Sequence, residues 1–103
     1  MVFFMKKIKF LLLFFWIPFW LSAQSVSVSG TVTDANGEAL IGVSVVEQGT
    51  TNGAATDFNG QYSLTVASNA VLQFSYLGYI PVLKNVGGGG RVDVVMQEDT
   101  KAL

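Results

Sequence analysis

Five carboxylates are the candidates for acid–base chemistry in this sequence. They are Asp34, Glu38, Glu47, Asp57 and Asp93. Two carboxylates that flank a bound substrate can act as a general acid and a general base. Most of these five fall in predicted turns or on solvent-facing strand positions, where charged side chains are normally hydrated. We therefore interpret them as surface charge, and an enzyme with paired acids is the weakest of the function hypotheses.

Other catalytic and metal-binding systems lack the residues that they need. The sequence contains no histidine and no cysteine, which excludes Ser-His-Asp and Cys-His nucleophiles and metal sites built from His or Cys. The glycine run at 87–90 is not followed by the Lys-Ser/Thr pair of a phosphate-binding loop. We predict no catalytic, cofactor-binding or metal-ligating residue, and no cofactor.

The pattern Thr-Asp-x-Asn-Gly occurs twice, as TDANG at 33–37 and TDFNG at 56–60. Such a run can open a calcium-binding loop or reverse the chain direction. An EF-hand loop that begins at the aspartate requires glycine at position six and a bidentate glutamate at position twelve. Here glycine stands at position four, and position twelve is Val45 in the first run and Ser68 in the second.

Both runs are therefore predicted to be hairpin turns. The aspartate can accept hydrogen bonds from amides two residues on, and Asn-Gly between alternating strands is the strongest short hairpin signal. Asparagine tolerates a left-handed conformation, and glycine adopts one without a Cβ clash. A weak ion site at Asp57 and Asn59 is the alternative, and it is short of ligands for a hard cation.

The aromatic cluster of the region after position 23 is formed by Phe74, Tyr76 and Tyr79. Such residues can stack on sugar rings or present a binding patch, but in a small domain they more often fill the core, which we favour. Lys84 and Arg91 are isolated cations on either side of the glycine run. We interpret them as protection of edge strands rather than as a ligand clamp.

Residues 1–23 differ in kind from the remainder. Three lysines precede an unbroken apolar run of twelve residues, 10–21, which ends in the small residues Ser22 and Ala23. This order predicts a signal peptide that is cleaved after Ala23, with Met1 or Met5 as the start. The alternative, a transmembrane helix, needs about 20 apolar residues. A lipoprotein is excluded because its signal requires a cysteine.

Residues 24–103 carry three cations and seven acids, a net charge of −4. An acidic chain without a basic patch is a poor candidate for nucleic-acid binding. Its length allows one small domain that buries roughly 60% of its unfolded surface. Without cysteine, the domain folds without disulfides even if it is exported.

Alternating apolar and polar residues predict six or seven short strands and no helix. The clearest are SVSVSGTVT at 25–33 and QYSLTVA at 61–67. Gly30 interrupts the apolar face of the first, which suggests a bulge or a close crossing by another strand. Pro81 cannot donate to a sheet and predicts an edge strand. The pattern favours an antiparallel sandwich or barrel, and a parallel sheet is not expected without βαβ units.

Several motifs together resemble the carboxypeptidase regulatory-like domain, a transthyretin-like β-sandwich. They are G-x-V-x-D-x-x-G at 30–37, L-x-G-x-x-V at 40–45, G-T at 49–50, T-D-x-x-G-x-Y at 56–62 and S-Y-x-G-Y at 75–79. The resemblance covers residues 28 to 97. It implies an all-β, seven-stranded antiparallel Greek-key sandwich at 24–97, followed by a linker at 98–103.

This domain begins many TonB-linked receptors of the SusC/RagA type in Bacteroidetes. The resemblance therefore implies a non-catalytic interaction domain at the periplasmic face of the outer membrane. Its expected partners are the plug and barrel of a parent receptor, the TonB system and a SusD-like lipoprotein. The chain would then be a receptor fragment. The alternative is a free-standing secreted binding module, for which carbohydrate binding through Tyr76 and Tyr79 is the expectation.

Overall fold

The computed structural model describes residues 24–101, so the predicted signal peptide at 1–23 lies outside the described residues. Within the described range the chain forms eight strands and no helix. The strands are β1 (Ser25–Thr33), β2 (Ser44–Glu47), β3 (Gly53–Ala55), β4 (Gln61–Ala67), β5 (Val71–Ser75), β6 (Val82–Asn85), β7 (Gly90–Arg91) and β8 (Val94–Val95). The predicted all-β class is confirmed.

The strands form two sheets. The first has the order β4-β1-β7, with β8 also paired to β1, and the second has the order β3-β2-β5-β6. The edge position predicted from Pro81 is confirmed, since β6, which follows this proline, is an outer strand of the second sheet; the short β3 is the other outer strand. Lys84 lies on β6 and Arg91 on β7, so both cations stand on outer strands.

The expectation of antiparallel pairing throughout is wrong for the last part of the chain. β1 is antiparallel to β4, but it is parallel to β7 and β8. The chain passes through the second sheet as β5 and β6 and then returns beside β1 in the same direction. Parallel strands must be joined by a crossover connection, which is usually a helix. Here the strands of the second sheet take the place of that helix. The strand number is eight because residues 92 and 93 divide the returning segment into β7 and β8.

The core lies between the two sheets and consists of the inward side chains of alternating positions. The largest fully buried side chains are Phe74, Leu72, Met96, Val28, Val32, Val43 and Val45. In β4 the burial pattern alternates at every residue from 61 to 66, as its sequence predicts. The inward faces of β1, β4 and β5 follow the alternation of apolar residues in their sequences, with the inward Tyr76 after β5 only half buried.

Of the two alternatives predicted at Gly30, a bulge or a close crossing, the structure shows the close approach of another segment. A Cβ atom at Gly30 would lie 1.9 Å from the carbonyl oxygen of Val92. The Val92 amide donates a 2.8 Å hydrogen bond to the Ser29 carbonyl. The missing side chain at Gly30 therefore lets the returning segment approach β1 at backbone distance.

The domain has two ends, one near Gln24 and one near Asp99. The Ser68 amide donates to the Gln24 carbonyl at 3.3 Å, and the Asp99 amide donates to the Gly78 carbonyl at 2.9 Å. The end near Asp99, which we call the exit rim, carries the connections at 34–43, 56–60 and 76–81 together with residues 96–101. No helix long and apolar enough to cross a membrane occurs in residues 24–101.

Candidate functional site

The two Asp-x-Asn-Gly runs lie at the exit rim and have the same hydrogen-bond pattern. Asp34 Oδ1 accepts from the amides of Asn36 and Glu38, each at 2.9 Å. Asp57 Oδ1 accepts from the amides of Asn59 and Gln61, each at 2.9 Å. The predicted role of the aspartates as turn-fixing acceptors is confirmed.

Two details of the turn prediction are wrong. Gly37 and Gly60 have φ of 83° and 73°, but neither asparagine has a positive φ. Each loop is thus a tight turn in which only glycine is left-handed, because the aspartate already holds the preceding residues in place. Neither turn joins two paired strands: the first, closed by an isolated bridge between Thr33 and Ala39, leads from β1 of the first sheet to β2 of the second, and the second leads from β3 of the second sheet to β4 of the first.

Asp93 is bound to its own domain. Its Oδ1 accepts the Thr31 amide at 2.9 Å, and its Oδ2 lies 3.1 Å from Arg91 Nε. The Thr31 amide and the Arg91 guanidinium hold the pKa of Asp93 below its ordinary value. Arg91 also donates to the Thr31 hydroxyl at 3.0 Å. Arg91 is therefore not the isolated cation of our prediction.

Glu47 lies at the opposite end of the sandwich and joins the two sheets. One carboxylate oxygen accepts from Asn52 Nδ2 and the other from the Ala67 amide, both at 3.1 Å. Asn52 Nδ2 also donates to the Thr65 carbonyl at 2.7 Å. Four of the five candidate carboxylates thus accept hydrogen bonds from the domain itself, and only Glu38 has no side-chain bond among the described residues.

The predicted aromatic cluster is divided. Phe74 is fully buried and packs edge-on against Tyr62, with ring centroids 5.4 Å apart. Tyr76 and Tyr79 are half-buried at the exit rim, with centroids 5.5 Å apart. The core role that we favoured is confirmed for Phe74, whereas the two tyrosines stand at the margin of the core.

A groove of about 320 Å³ lies at the exit rim beside Tyr79. Asp34, Asn36, Gln97 and Glu98 line it with carboxylate and amide groups. Burial, followed by the charges of Glu98 and Asp34, raises the pKa of Tyr79. The groove can offer hydrogen bonds and one aromatic ring to a ligand.

A second groove, of about 460 Å³, opens beside β3 and β4. Its lining includes Ser29, Ser63, Gln61, Asp57 and Arg91. Asp57 is already held by the amides of its turn, and Arg91 by Asp93 and Thr31. Among residues 24–101, no three acidic side chains come together as a potential metal site.

The sequence interpretation missed Thr56, a buried residue whose side chain bonds two backbone groups. Its hydroxyl accepts from the Val43 amide at 2.9 Å and donates to the Leu40 carbonyl. The Thr56 residue is 4% exposed. Since a threonine that flanks a turn is usually exposed, only the repeated TDxNG pattern could have drawn attention to it.

Tyr62 is a second buried polar residue whose role the alternation did not show. Its hydroxyl donates a 2.6 Å hydrogen bond to the Val92 carbonyl, the same oxygen that faces Gly30. Burial, with a contribution from the charge of Asp93, raises the pKa of Tyr62 to about 12. The phenol therefore fastens the returning segment to β4 across β1.

Exposed apolar side chains are the last feature that the sequence did not identify. The described residues include six large hydrophobic side chains that are exposed. Four of these follow or precede the strands of the second sheet at the exit rim. They are Ile41, Phe58, Leu77 and Ile80, with exposures of 49%, 85%, 97% and 49%. We call these four residues the apolar row.

The fold and the site define a small β-sandwich whose polar side chains mainly bind its own backbone. The family model of the CarboxypepD_reg-like domain matches residues 28–103. The chain belongs to this family, which confirms the resemblance seen in the sequence motifs.

Curated relatives are much longer than this chain. The chain is 40% identical over 101 residues to TonB-dependent receptor P3 of Formosa agariphila, and the match covers 96% of this chain and 10% of the receptor. It is 36% identical over 81 residues to TonB-dependent receptor SusC of Bacteroides thetaiotaomicron, with 79% of this chain and 8% of the receptor covered. The chain therefore spans about a tenth of these receptors.

Solved structures share the fold at low sequence identity. A type II cohesin–X-dockerin complex of Acetivibrio cellulolyticus matches with a TM-score of 0.60 and 18% identity, over 76% of this chain and 61% of the other. The 3-chlorocatechol 1,2-dioxygenase of Rhodococcus opacus 1CP matches with a TM-score of 0.52 and 11% identity, over the same shares. These likenesses show the β-sandwich fold alone.

Proposed function

We propose that this chain is a non-catalytic accessory domain of a TonB-dependent outer-membrane receptor that imports nutrients. The observation that carries this proposal is the match to receptors over 96% and 79% of the chain. In this proposal the predicted leader directs export, the domain stands on the periplasmic side of the outer membrane, and the receptor plug and barrel follow it. Its partners are that plug and barrel, with the TonB system and a SusD-like lipoprotein as further expected partners.

The geometry of the carboxylates supports a role in interaction rather than catalysis. The Oδ1 atoms of Asp34 and Asp57 each accept two backbone amides, and Asp93 is paired with Arg91. A general base must reach a substrate proton, and these groups serve turns and strand pairing instead. This supports a domain that is built to present a surface.

The test is to follow the native gene beyond codon 103 and to identify its product. An antiserum against residues 24–101 should detect an outer-membrane protein about ten times the length of this chain, because the chain covers a tenth of its relatives. A stop codon followed by sequence without a receptor plug would contradict the proposal.

A free-standing carbohydrate-binding module is the second candidate. It is favoured by the groove that brings Tyr79 beside Asp34, Asn36 and Glu98, since an aromatic ring with neighbouring acceptors suits a sugar. Titration of the chain with a glycan panel tests it. Binding that is lost in Tyr79→Ala, with an unchanged fold, would support this candidate, and an absence of any binding would remove it.

A further inference from the structure

The apolar row follows the strand order of the second sheet. Ser44 at the start of β2 is the partner of Ala55 at the end of β3 and of Ser75 at the end of β5. Phe74 pairs with Val82 at the start of β6. Three connections therefore meet at one end, and together they place one large apolar side chain just beyond each of the four strands, with Leu77 and Ile80 both in the connection at 76–81. The row contains Phe58, Ile41, Leu77 and Ile80 in the order β3-β2-β5-β6.

The two most exposed members have no packing reason to be apolar. Phe58 is 85% exposed at the centre of a turn whose form is set by Asp57 and Gly60, and Leu77 is 97% exposed in the turn before Gly78. Small soluble domains rarely align exposed apolar residues unless the surface is covered by a partner. The remaining exposed large hydrophobics of the described range are Leu83 and Val95, which lie within β6 and β8 and not in the connections of the rim.

The described chain leaves the domain at the same rim. Gln97 accepts the Ile80 amide at 2.9 Å, and the Asp99 amide donates to the Gly78 carbonyl at 2.9 Å. Glu98 forms an isolated bridge with Tyr79. These bonds fix the direction in which residues 100 and 101 depart, next to Leu77 and Ile80. Whatever follows in a longer receptor begins beside the apolar row.

The charge of the exit rim specifies the surface that would cover it. Within the described residues the rim carries five acids and one lysine: Asp34, Glu38, Asp57, Glu98, Asp99 and Lys101. An apolar row among acids is complementary to an apolar surface that carries basic side chains or free amides.

We propose that the exit rim docks, through Phe58 and Leu77, onto the part of the same receptor polypeptide that follows residue 103. The proposal rests on the receptor function proposed above. The occupant is the following polypeptide because the departing segment is held against the row, which gives this surface a high effective concentration. The domain is then a fixed extension of the receptor and not a freely tethered one.

Site-specific photocross-linking in the native gene product tests the docking. A photoreactive phenylalanine analogue replaces Phe58 or Leu77 in one set of proteins, and Leu83 or Val95 in the control set. These four side chains are 85%, 97%, 55% and 57% exposed, so none of the replacements disturbs the core. Mass spectrometry should find cross-links from 58 and 77 to sequence beyond residue 103, and none from 83 and 95.

A second experiment uses variants without a photoreactive group. In the background of the analogue at Phe58, the change Leu77→Ser should diminish the cross-link, whereas Leu83→Ser should leave it unchanged. Cross-links that are absent at the row, equally frequent at the control positions, or directed to a second copy or another protein would overturn the docking. A gene product that ends at Leu103 removes the receptor function itself, whereas a full-length receptor without the cross-link removes only the docking.

Discussion

The carbonyl oxygen of Val92 occupies the space that a side chain at Gly30 would fill, 1.9 Å from the position of its Cβ atom. The same oxygen accepts the Tyr62 hydroxyl at 2.6 Å. At Val92 the returning segment is therefore held against the first sheet in two ways: Gly30 leaves room for its carbonyl group, and the Tyr62 hydroxyl binds that group.

Gly30→Ala should strongly destabilise the domain. The methyl group meets backbone, which cannot rotate away, so the returning segment must separate from β1, and the cost should be about 3 kcal/mol. Urea unfolding measures this change. The control is Ser29→Ala, which alters the neighbouring exposed residue and should change the stability by less than about 0.5 kcal/mol. Equal stability of the two variants would contradict the crossing.

Thr56→Val should cost about 2–4 kcal/mol, because it leaves the Val43 amide and the Leu40 carbonyl buried without their partner. Valine has nearly the shape of threonine, so the loss reports the hydrogen bonds. Thr56→Ser keeps the hydroxyl and should cost only about 1 kcal/mol for the lost methyl group. Thermal or urea unfolding measures both changes. A larger loss of stability in Thr56→Ser than in Thr56→Val would contradict the role of the hydroxyl.

The raised pKa of Tyr62 predicts that the domain loses stability at alkaline pH. Its folded pKa is about 12 and its ordinary value is 10.0. The unfolded state therefore releases the phenolic proton first, and the free energy of unfolding falls as pH rises from 10 towards 12. Below pH 10 the contribution is fully present. Urea unfolding at a series of pH values measures the fall.

Tyr62→Phe is the matched variant, since it keeps the ring against Phe74 and removes the hydroxyl. It should cost about 1 kcal/mol near neutral pH for the lost hydrogen bond. It should also make the decline between pH 10 and 12 shallower. An unchanged decline in this variant would assign the alkaline effect to other groups.

The repeated turns should respond to substitution and not to calcium. Asp57→Ala removes the acceptor of two amides and should destabilise the domain by about 1 kcal/mol. Asp57→Asn retains a carbonyl acceptor and should cost less. Millimolar calcium should leave the melting temperature of the unmodified chain unchanged. A rise that disappears in both variants would instead support the weak ion site at Asp57 and Asn59.

Alternation in the sequence predicted the strands well because a side chain in a sheet faces inward or outward with a period of two. Tyr62, Leu64 and Val66 are all buried, as their spacing indicated. Gly30 was also informative, since an absent side chain in an apolar face has few explanations other than a close backbone approach. Each of these inferences requires only the sequence of a single strand.

The pairing between strands was harder to predict from the sequence. The alternation of Val92, Val94 and Met96 gives their inward face but not their neighbour, so it could not reveal that this segment runs parallel to β1. The two TDxNG turns have the same internal hydrogen bonds, yet the first leads from the first sheet to the second and the second leads from the second sheet back to the first. The residues of a turn determine its local conformation, whereas the destination of the following strand depends on the whole core.

For the candidate site, the sequence was informative mainly about what is excluded, because the chain has no histidine and no cysteine. The sequence identified the carboxylates and Tyr79, and the structure places Tyr79 beside Asp34 in one groove. It gave no sign that Ile41, Phe58, Leu77 and Ile80 share a rim, because they are separated by up to 39 positions and lie in three different connections. Only the strand order brings them together.

The pairing of the first strand with the last has a consequence for the order of events during biosynthesis. β1 obtains its second neighbour only when residues 90–95 are present, so the first sheet stays incomplete until nearly the whole domain has been made. Contacts between distant parts of a chain form late and slowly. A translocation channel that requires an unfolded polypeptide would therefore meet little resistance from this domain while it is threaded through, and closure would follow on the far side.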